Sequence, residues 1–271
     1  EFYALAQSPQ QYKQLLMVAG FERYYQMARA FRDEDLRADR QFEHTQIDVE
    51  IAHVEREDVM RTIEQMVTHL VEKLGRKVAK KPFPVFSYQE VVKKYKTDKP
   101  NLSKDKGELN FLWVVDFPLF EKVATGGYTF AHNPFAAPMP EHQKDLMAKV
   151  NLEGLQSLQY DLVCNGEEIG GGSIRIHEPE VQRQIFRVMG YSDSEIEEQF
   201  GHILAAYEYG APVHGGIALG LDRLVAILAG EDNIREVVAF PVSSSGVTSV
   251  MDAPSEASSE QLDELGLKIV R

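Results

Sequence analysis

The chain has 271 residues, 44% hydrophobic and 26% charged, with a net charge of −13 and one cysteine, Cys164. That length buries a sizeable core, as one large domain or two closely packed ones. No run of about 18 apolar residues reads as a membrane span, one cysteine excludes an internal disulfide framework and fits a reducing cytoplasm, and the acidic total argues against loose adhesion to nucleic acid or anionic membrane.

Neither a signal-peptide pattern nor a CxxC or HExxH zinc pattern is present. The first residue is Glu1 rather than Met, and the strand-like FYALAQ that follows reads as the start of a chain cut from something longer. Ser8 and Pro9 then give an N-cap and a first helical position for QQYKQLLMVAG, up to Gly20. YYQMARAF and TQIDVEIA predict two strands flanking AFRDEDLRADRQ, which holds seven charged residues in twelve positions. In the second strand Ile47, Val49 and Ile51 alternate with Gln46, Asp48 and Glu50, placing the polar trio on the opposite face. REDVMRTIEQMVTHLVEKLG predicts a helix with one apolar stripe (Val59, Ile63, Met66, Val67, Leu70, Val71, Leu74), stopped by Gly75.

Residues 94–109 are polar, lysine-rich and proline-containing, hence a surface connector. NFLWVVDFPLF predicts a buried strand, and YDLVCNGEEIGGGSIRIH a hairpin turning at Asn165-Gly166. Two helices follow, the second opening on the capping box Ser192-x-x-Glu195 and ending near Gly210. GGIALG then reads as a strand running into the helix LDRLVAILAG. Short strands among long helices, with hairpins, predict an α+β fold: a mostly antiparallel sheet backed by helices.

Three stretches carry chemistry. Arg32 and Glu34 lie at a strand end on one face, where a guanidinium grips a phosphate or carboxylate in two-pronged fashion, although a salt-bridged turn looks the same. In NGEEIGGGSIRIH, glycines 170 to 172 are costly in a strand unless something approaches the backbone or they pack under a helix. Asp161 and Glu168 flank the turn as oxygen donors suited to Mg²⁺ rather than zinc, and Arg175 emerges in the same sheet. In HGGIALGLDRL, Arg223 sits in the first turn of a helix, whose N-terminus already favours anions.

Together and in this order, these stretches resemble a known family. FRDEDLRADRQ is similar to the second signature motif of class II aminoacyl-tRNA synthetases, and GIALGLDRL to the third. QSPQQYKQLLM, FLWVVDFPLFE, HNPFAAP, NGEEIGGGSIRIH and YGAPVHGGIALGLDRL resemble the bacterial aspartyl-tRNA synthetases. The likeness runs over nearly the whole of 1–271 as one catalytic domain, looser in the 94–109 connector and the C-terminal tail.

The resemblance implies activation of L-aspartate by ATP with Mg²⁺, then transfer to the acceptor end of tRNA, catalysed by positioning and charge neutralisation. Arg32 would hold the α-phosphate and the substrate carboxylate, and Arg223 the γ-phosphate, as the two catalytic arginines. Glu34, Gln41, His44, Glu168, Gly220, Leu221 and Asp222 would complete the ATP site, with Asp161 and Glu168 holding the metal. Lys13 and Arg175 would clamp the aspartate side chain as uncompensated cations, with His132 closing over it and Ser8 and Ser173 adding hydrogen bonds. Gln10 and Asp48 would take the α-ammonium, and Arg37 and Arg40 would reach the tRNA end.

The chain departs from the family at several places. His44 replaces the aromatic residue that stacks on adenine and Phe42 a proline, which implies weaker ATP binding; Asn133 replaces a histidine and Val242 a lysine. The anticodon-binding barrel and the first motif have no counterpart, which implies a weakened homodimer, and 94–109 stands where bacterial members carry an inserted domain. The alternative is a tRNA-independent paralogue that adenylates aspartate for another acceptor, such as ammonia.

Overall fold

Alternating apolar and polar residues build the central sheet, and helices with one apolar stripe cover it. The computed structural model describes residues 3–105, 107–124, 126–248, 250 and 253–270. In chain order the helices are α1 (Gln10–Val18), α2 (Arg56–Lys73), α3 (Tyr88–Tyr95), α4 (Gln143–Ala148), α5 (Pro179–Val188), α6 (Asp193–Tyr207), α7 (Leu221–Ala229) and α8 (Ser259–Glu264). The strands are β1 (Arg23–Phe31), β2 (Glu43–Ala52), β3 (Val85–Ser87), β4 (Phe111–Val115), β5 (Phe120–Lys122), β6 (Tyr128–Phe130), β7 (Gln159–Cys164), β8 (Glu167–Ile174) and β9 (His214–Gly220).

Seven strands form one sheet in the order β1-β2-β9-β8-β7-β4-β3, and β5 pairs with β6 apart from it. Every pair in the large sheet is antiparallel except β3 with β4, as the hairpin-rich sequence predicts. The Asn165-Gly166 turn has φ of 53° and 92°, the left-handed pair that a two-residue hairpin loop requires. The Ser192–Glu195 capping box forms at the start of α6.

One face of the sheet is oily. Val59, Ile63, Val67 and Val71 of α2 and Leu224 of α7 pack there against Phe111, Trp113, Tyr160, Leu162, Ile217 and Leu219. Met66 and Leu74, expected in the same stripe, are instead solvent-exposed, because the stripe is narrower than the apolar residues available to it. FYALAQ is not a strand: residues 3–7 carry no regular structure, and one backbone bond from Phe31 N–H to the Ala6 carbonyl (2.9 Å) ties them to β1. Phe2 lies outside the described residues. Ser8 accepts only a long bond (3.4 Å) from Gln10 N–H, and α1 begins at Gln10. The described residues of 96–109 form no helix or strand, apart from an isolated bridge between Val78 and Leu109.

The other face holds a trough. Directly paired residues of neighbouring strands share a face, so Asp48, Ala218, Gly171 and Asp161 make one cross-strand row over β2, β9, β8 and β7. Glu50, Gly216, Ser173 and Gln159 make the next. Small residues occupy the middle of each row and polar groups its ends. The two neighbours of Gly171 serve the opposite face: a Cβ on Gly170 would stand 2.3 Å from the Ala218 carbonyl oxygen, and one on Gly172 2.1 Å from that of Gly216. Gly172→Ala must therefore push β8 from β9, and we expect a loss of about 1–3 kcal/mol in urea denaturation with an unchanged m-value.

Candidate active site

The trough opens into two adjoining clefts of about 930 Å³ and 170 Å³. Gln10, Lys13, Asp48, His132, Asp161 and Arg175 line the larger, together with Ser8, and Gln41, His44, Gly220, Asp222 and Arg223 line the smaller. Arg32, Glu34, Gln46 and Glu168 border both. Of the residues expected at a substrate site, Leu221 and Ser173 line neither cleft.

At the closed end of the larger cleft lies a buried ion network. Glu50, fully buried, accepts from Arg175 Nε at 2.9 Å and from Arg175 Nη2 at 3.2 Å, and also holds Lys13 Nζ at 3.2 Å. Lys13 Nζ also donates to Asp48 Oδ1, and Arg175 Nη1 to Ser173 Oγ at 2.8 Å. Burial pushes the Glu50 carboxyl up, but the Arg175 guanidinium and the Lys13 ammonium outweigh it and hold it below the usual carboxylate range. Burial likewise works against the Arg175 charge, and Glu50 more than restores it.

This network corrects the expectation of uncompensated cations. Lys13 and Arg175 are each paired, and Ser173 braces Arg175 rather than facing the cleft. What they offer a ligand is direction: an ammonium and a guanidinium bear only donors, so the end of the cleft is lined by N–H groups. Glu50 and Gln46 were not singled out as site residues, although the period-two alternation of β2 had put both on the face of Asp48. Gln46 is buried between the clefts with its Oε1 unpartnered.

Arg32 is the cation without a carboxylate. It forms no ion pair among the described residues, and its Nε makes one long bond (3.5 Å) to the Gln7 carbonyl. Glu34 is held by Arg40 Nη1 at 3.3 Å. Arg223 Nη1 donates to the Glu168 carbonyl and its Nη2 to that of Asp39 at 3.2 Å, pinning the charged loop to β8. His44 faces the smaller cleft, and its pKa is lowered by burial and then by the Arg32 charge, which keeps the imidazole neutral. Gln41 lines the smaller cleft with its amide already engaged: its Oε1 accepts from Val242 N–H (2.8 Å) and its Nε2 donates to the Val242 carbonyl (3.2 Å), so it clasps the C-terminal region. Because only backbone is used, valine at 242 serves that clasp as well as lysine.

His132 is exposed at the mouth of the larger cleft, its ring edge-on to Phe117 at 4.6 Å. Arg37 and Arg40, exposed, close their loop on each other through two backbone bonds of 3.3 Å; Arg40 lines the smaller cleft and Arg37 lies outside both.

Asp161 and Glu168 converge over Gly171, whose added Cβ would lie 2.7 Å and 3.5 Å from their carboxylate oxygens. Burial and then the Glu168 charge hold the Asp161 carboxyl well above its usual range, while Gln159 Nε2 donates to Oδ1 at 3.1 Å. Among the described residues no group of three or more His, Cys, Asp or Glu side chains forms a cage. A pair of hard oxygen donors suits Mg²⁺, which keeps much of its water and takes phosphate oxygens for the rest.

Comparison with known proteins agrees with the motifs. The family described as tRNA synthetases class II (D, K and N) matches residues 1–244. The chain is 35% identical to an aspartate–tRNA ligase of Bacillus licheniformis, over 100% of this chain and 67% of that one. It is 36% identical to an aspartate–tRNA(Asp/Asn) ligase of Caldanaerobacter subterraneus, over 99% and 67%. The chain thus spans about two thirds of the length of these curated relatives. An aspartyl-tRNA synthetase of Entamoeba histolytica shares the fold with a TM-score of 0.68 at 21% identity, over 87% of this chain and 51% of that chain.

Asp161→Asn tests the carboxylate pair. The native carboxyl binds its proton more tightly than the unfolded one, so its charge penalises the fold as pH rises from the ordinary Asp range and fully above the raised pKa. Asp161→Asn should therefore unfold at higher temperature than the parent near pH 8 and lose that advantage below about pH 4; if the pair holds Mg²⁺, added Mg²⁺ should raise the melting temperature of the parent and not that of Asp161→Asn.

Proposed function

We propose that this chain, which belongs to the class II tRNA synthetases of the D, K and N group, activates L-aspartate with ATP and passes the aspartyl group to the acceptor end of tRNA. The observation that carries the reading is the juxtaposition of two buried cations, Lys13 and Arg175, held by Glu50, with Arg32, which has no ion pair among the described residues, in one cleft. Curated relatives with the aspartate–tRNA ligase name favour it over a tRNA-independent paralogue. A homodimer and a cytoplasmic setting belong to the same reading.

The reaction joins two anions, the amino-acid carboxylate and the α-phosphate. In this reading Lys13 and Arg175 take the side-chain carboxylate, while Asp48 and Gln10 take the α-ammonium. The reacting carboxylate is then directed toward Arg32, whose charge no carboxylate among the described residues pairs with, and it attacks the phosphorus with pyrophosphate leaving. His44 supplies the face on which adenine stacks, Glu34 accepts from its amino group, and Arg223 turns from the Glu168 carbonyl to the terminal phosphate. Asp161 and Glu168 would hold Mg²⁺, which neutralises phosphate charge when bound. Asparagine is refused because its amide would aim donors at donors, leaving buried N–H groups unpaired. Arg37 and Arg40 present charge to the tRNA end.

Aspartate-dependent ATP–pyrophosphate exchange tests the first step and charging of tRNA the second; exchange supported equally by asparagine would refute the pocket. Arg175→Ala would strand Glu50 at a cost of about 3–5 kcal/mol, so Arg175→Lys is the sharper change: KM for aspartate should rise roughly ten- to a hundredfold, with KM for ATP within about twofold. His44→Phe should do the reverse, lowering KM for ATP about two- to tenfold through a larger stacking face and leaving aspartate untouched.

A further inference from the structure

Behind the larger cleft runs a chain of hydrogen bonds that the reaction as described does not use. His214, at the start of β9, and Gln14, on α1, are both fully buried and line neither cleft. His214 Nδ1 stands 2.7 Å from the Pro212 carbonyl oxygen. A carbonyl oxygen only accepts, so Nδ1 bears the proton. Burial lowers the His214 pKa even against the attraction of Glu50, leaving the ring neutral and Nε2 a bare acceptor. Gln14 Nε2 lies 3.3 Å from that atom and donates to Tyr207 Oη at 2.8 Å. The Oε1 of Gln14 must then face the other way, and there it accepts from Gln10 Nε2 at 2.9 Å. Each step fixes the sense of the next. The bond to Gln14 holds the Gln10 amide nitrogen on the protein side, and the Gln10 oxygen is the end without a protein hydrogen bond among the described residues, in the cleft that Gln10 lines.

The two ends of a glutamine amide have nearly the same shape, so packing alone would not decide which end a ligand meets. We propose that Gln14 and His214 are positioning residues that set the polarity of Gln10, so that an acceptor rather than a donor meets the α-ammonium of the amino acid. This rests on the proposed function only in assigning Gln10 to the ammonium. A Gln10 turned the other way would aim N–H at a cation and repel it, while the ATP side of the site would be unaffected.

The test is aspartate-dependent pyrophosphate exchange by the full chain, with KM measured for each substrate. Gln14→Met keeps the length and removes the polarity; His214→Phe keeps the ring and removes the anchor. Either folded variant should raise KM for aspartate on the order of tenfold or more, with KM for ATP and melting temperature close to the parent's. Gln14→Met made on a Gln10→Ala background should add less than about twofold, since the two act through one contact. Unchanged aspartate KM, an equal rise for both substrates, or full additivity with Gln10→Ala would overturn the role. A parent chain without any aspartate-dependent exchange would instead overturn the proposed function itself.

Discussion

Glu50 is the group on which the site depends. A carboxylate wholly out of water costs several kcal/mol unless it is paired and hydrogen-bonded, and here a guanidinium grips both of its oxygens while an ammonium holds one. In return it fixes two long, flexible cations from different elements, α1 and the end of β8, in one place. Cations left unpaired in a dry pocket would attract any anion. Paired through Glu50, they would instead select a ligand by the direction of their N–H bonds.

Strand β2 organises the rest by its period of two. His44, Gln46, Asp48 and Glu50 lie on one face, so under the proposed function successive side chains would meet successive parts of an extended ligand: base, the junction where the new bond forms, ammonium, clamp. The sheet supplies the spacing at no cost in loop entropy. This explains how a site for two substrates can rest on so few elements.

Much of this was legible in the sequence, because local rules carried it. The Asn165-Gly166 hairpin, the α6 capping box, the α2 stripe and the charged loop between β1 and β2 all follow from turn chemistry and periodicity, and the chemical motifs fall in the clefts. What was not legible is pairing across strands. Nothing near Glu50 in sequence announces Arg175, 125 positions away, and the clasp between Gln41 and Val242 spans 201. The glycine run divides in the same way: Gly170 and Gly172 admit the neighbouring backbone and Gly171 leaves space for carboxylates, a division set by pleat register that three identical letters cannot show. FYALAQ failed as a strand for a related reason, since strand-like composition forms no ladder without a partner.

Between the carboxylates of Asp48 and Asp161 the floor of the trough is Ala218 and Gly171, where peptide lies nearly bare, and Gly216 beside them lies under the Glu50 carboxylate. Mutational drift meets such a surface asymmetrically. At the two glycines no side chain exists to be lost, so every missense change adds atoms to a crowded place, and ligand contacts made by main-chain groups survive amino-acid replacement elsewhere. The walls of the site can be retuned over generations while its base remains as the polypeptide backbone itself made it.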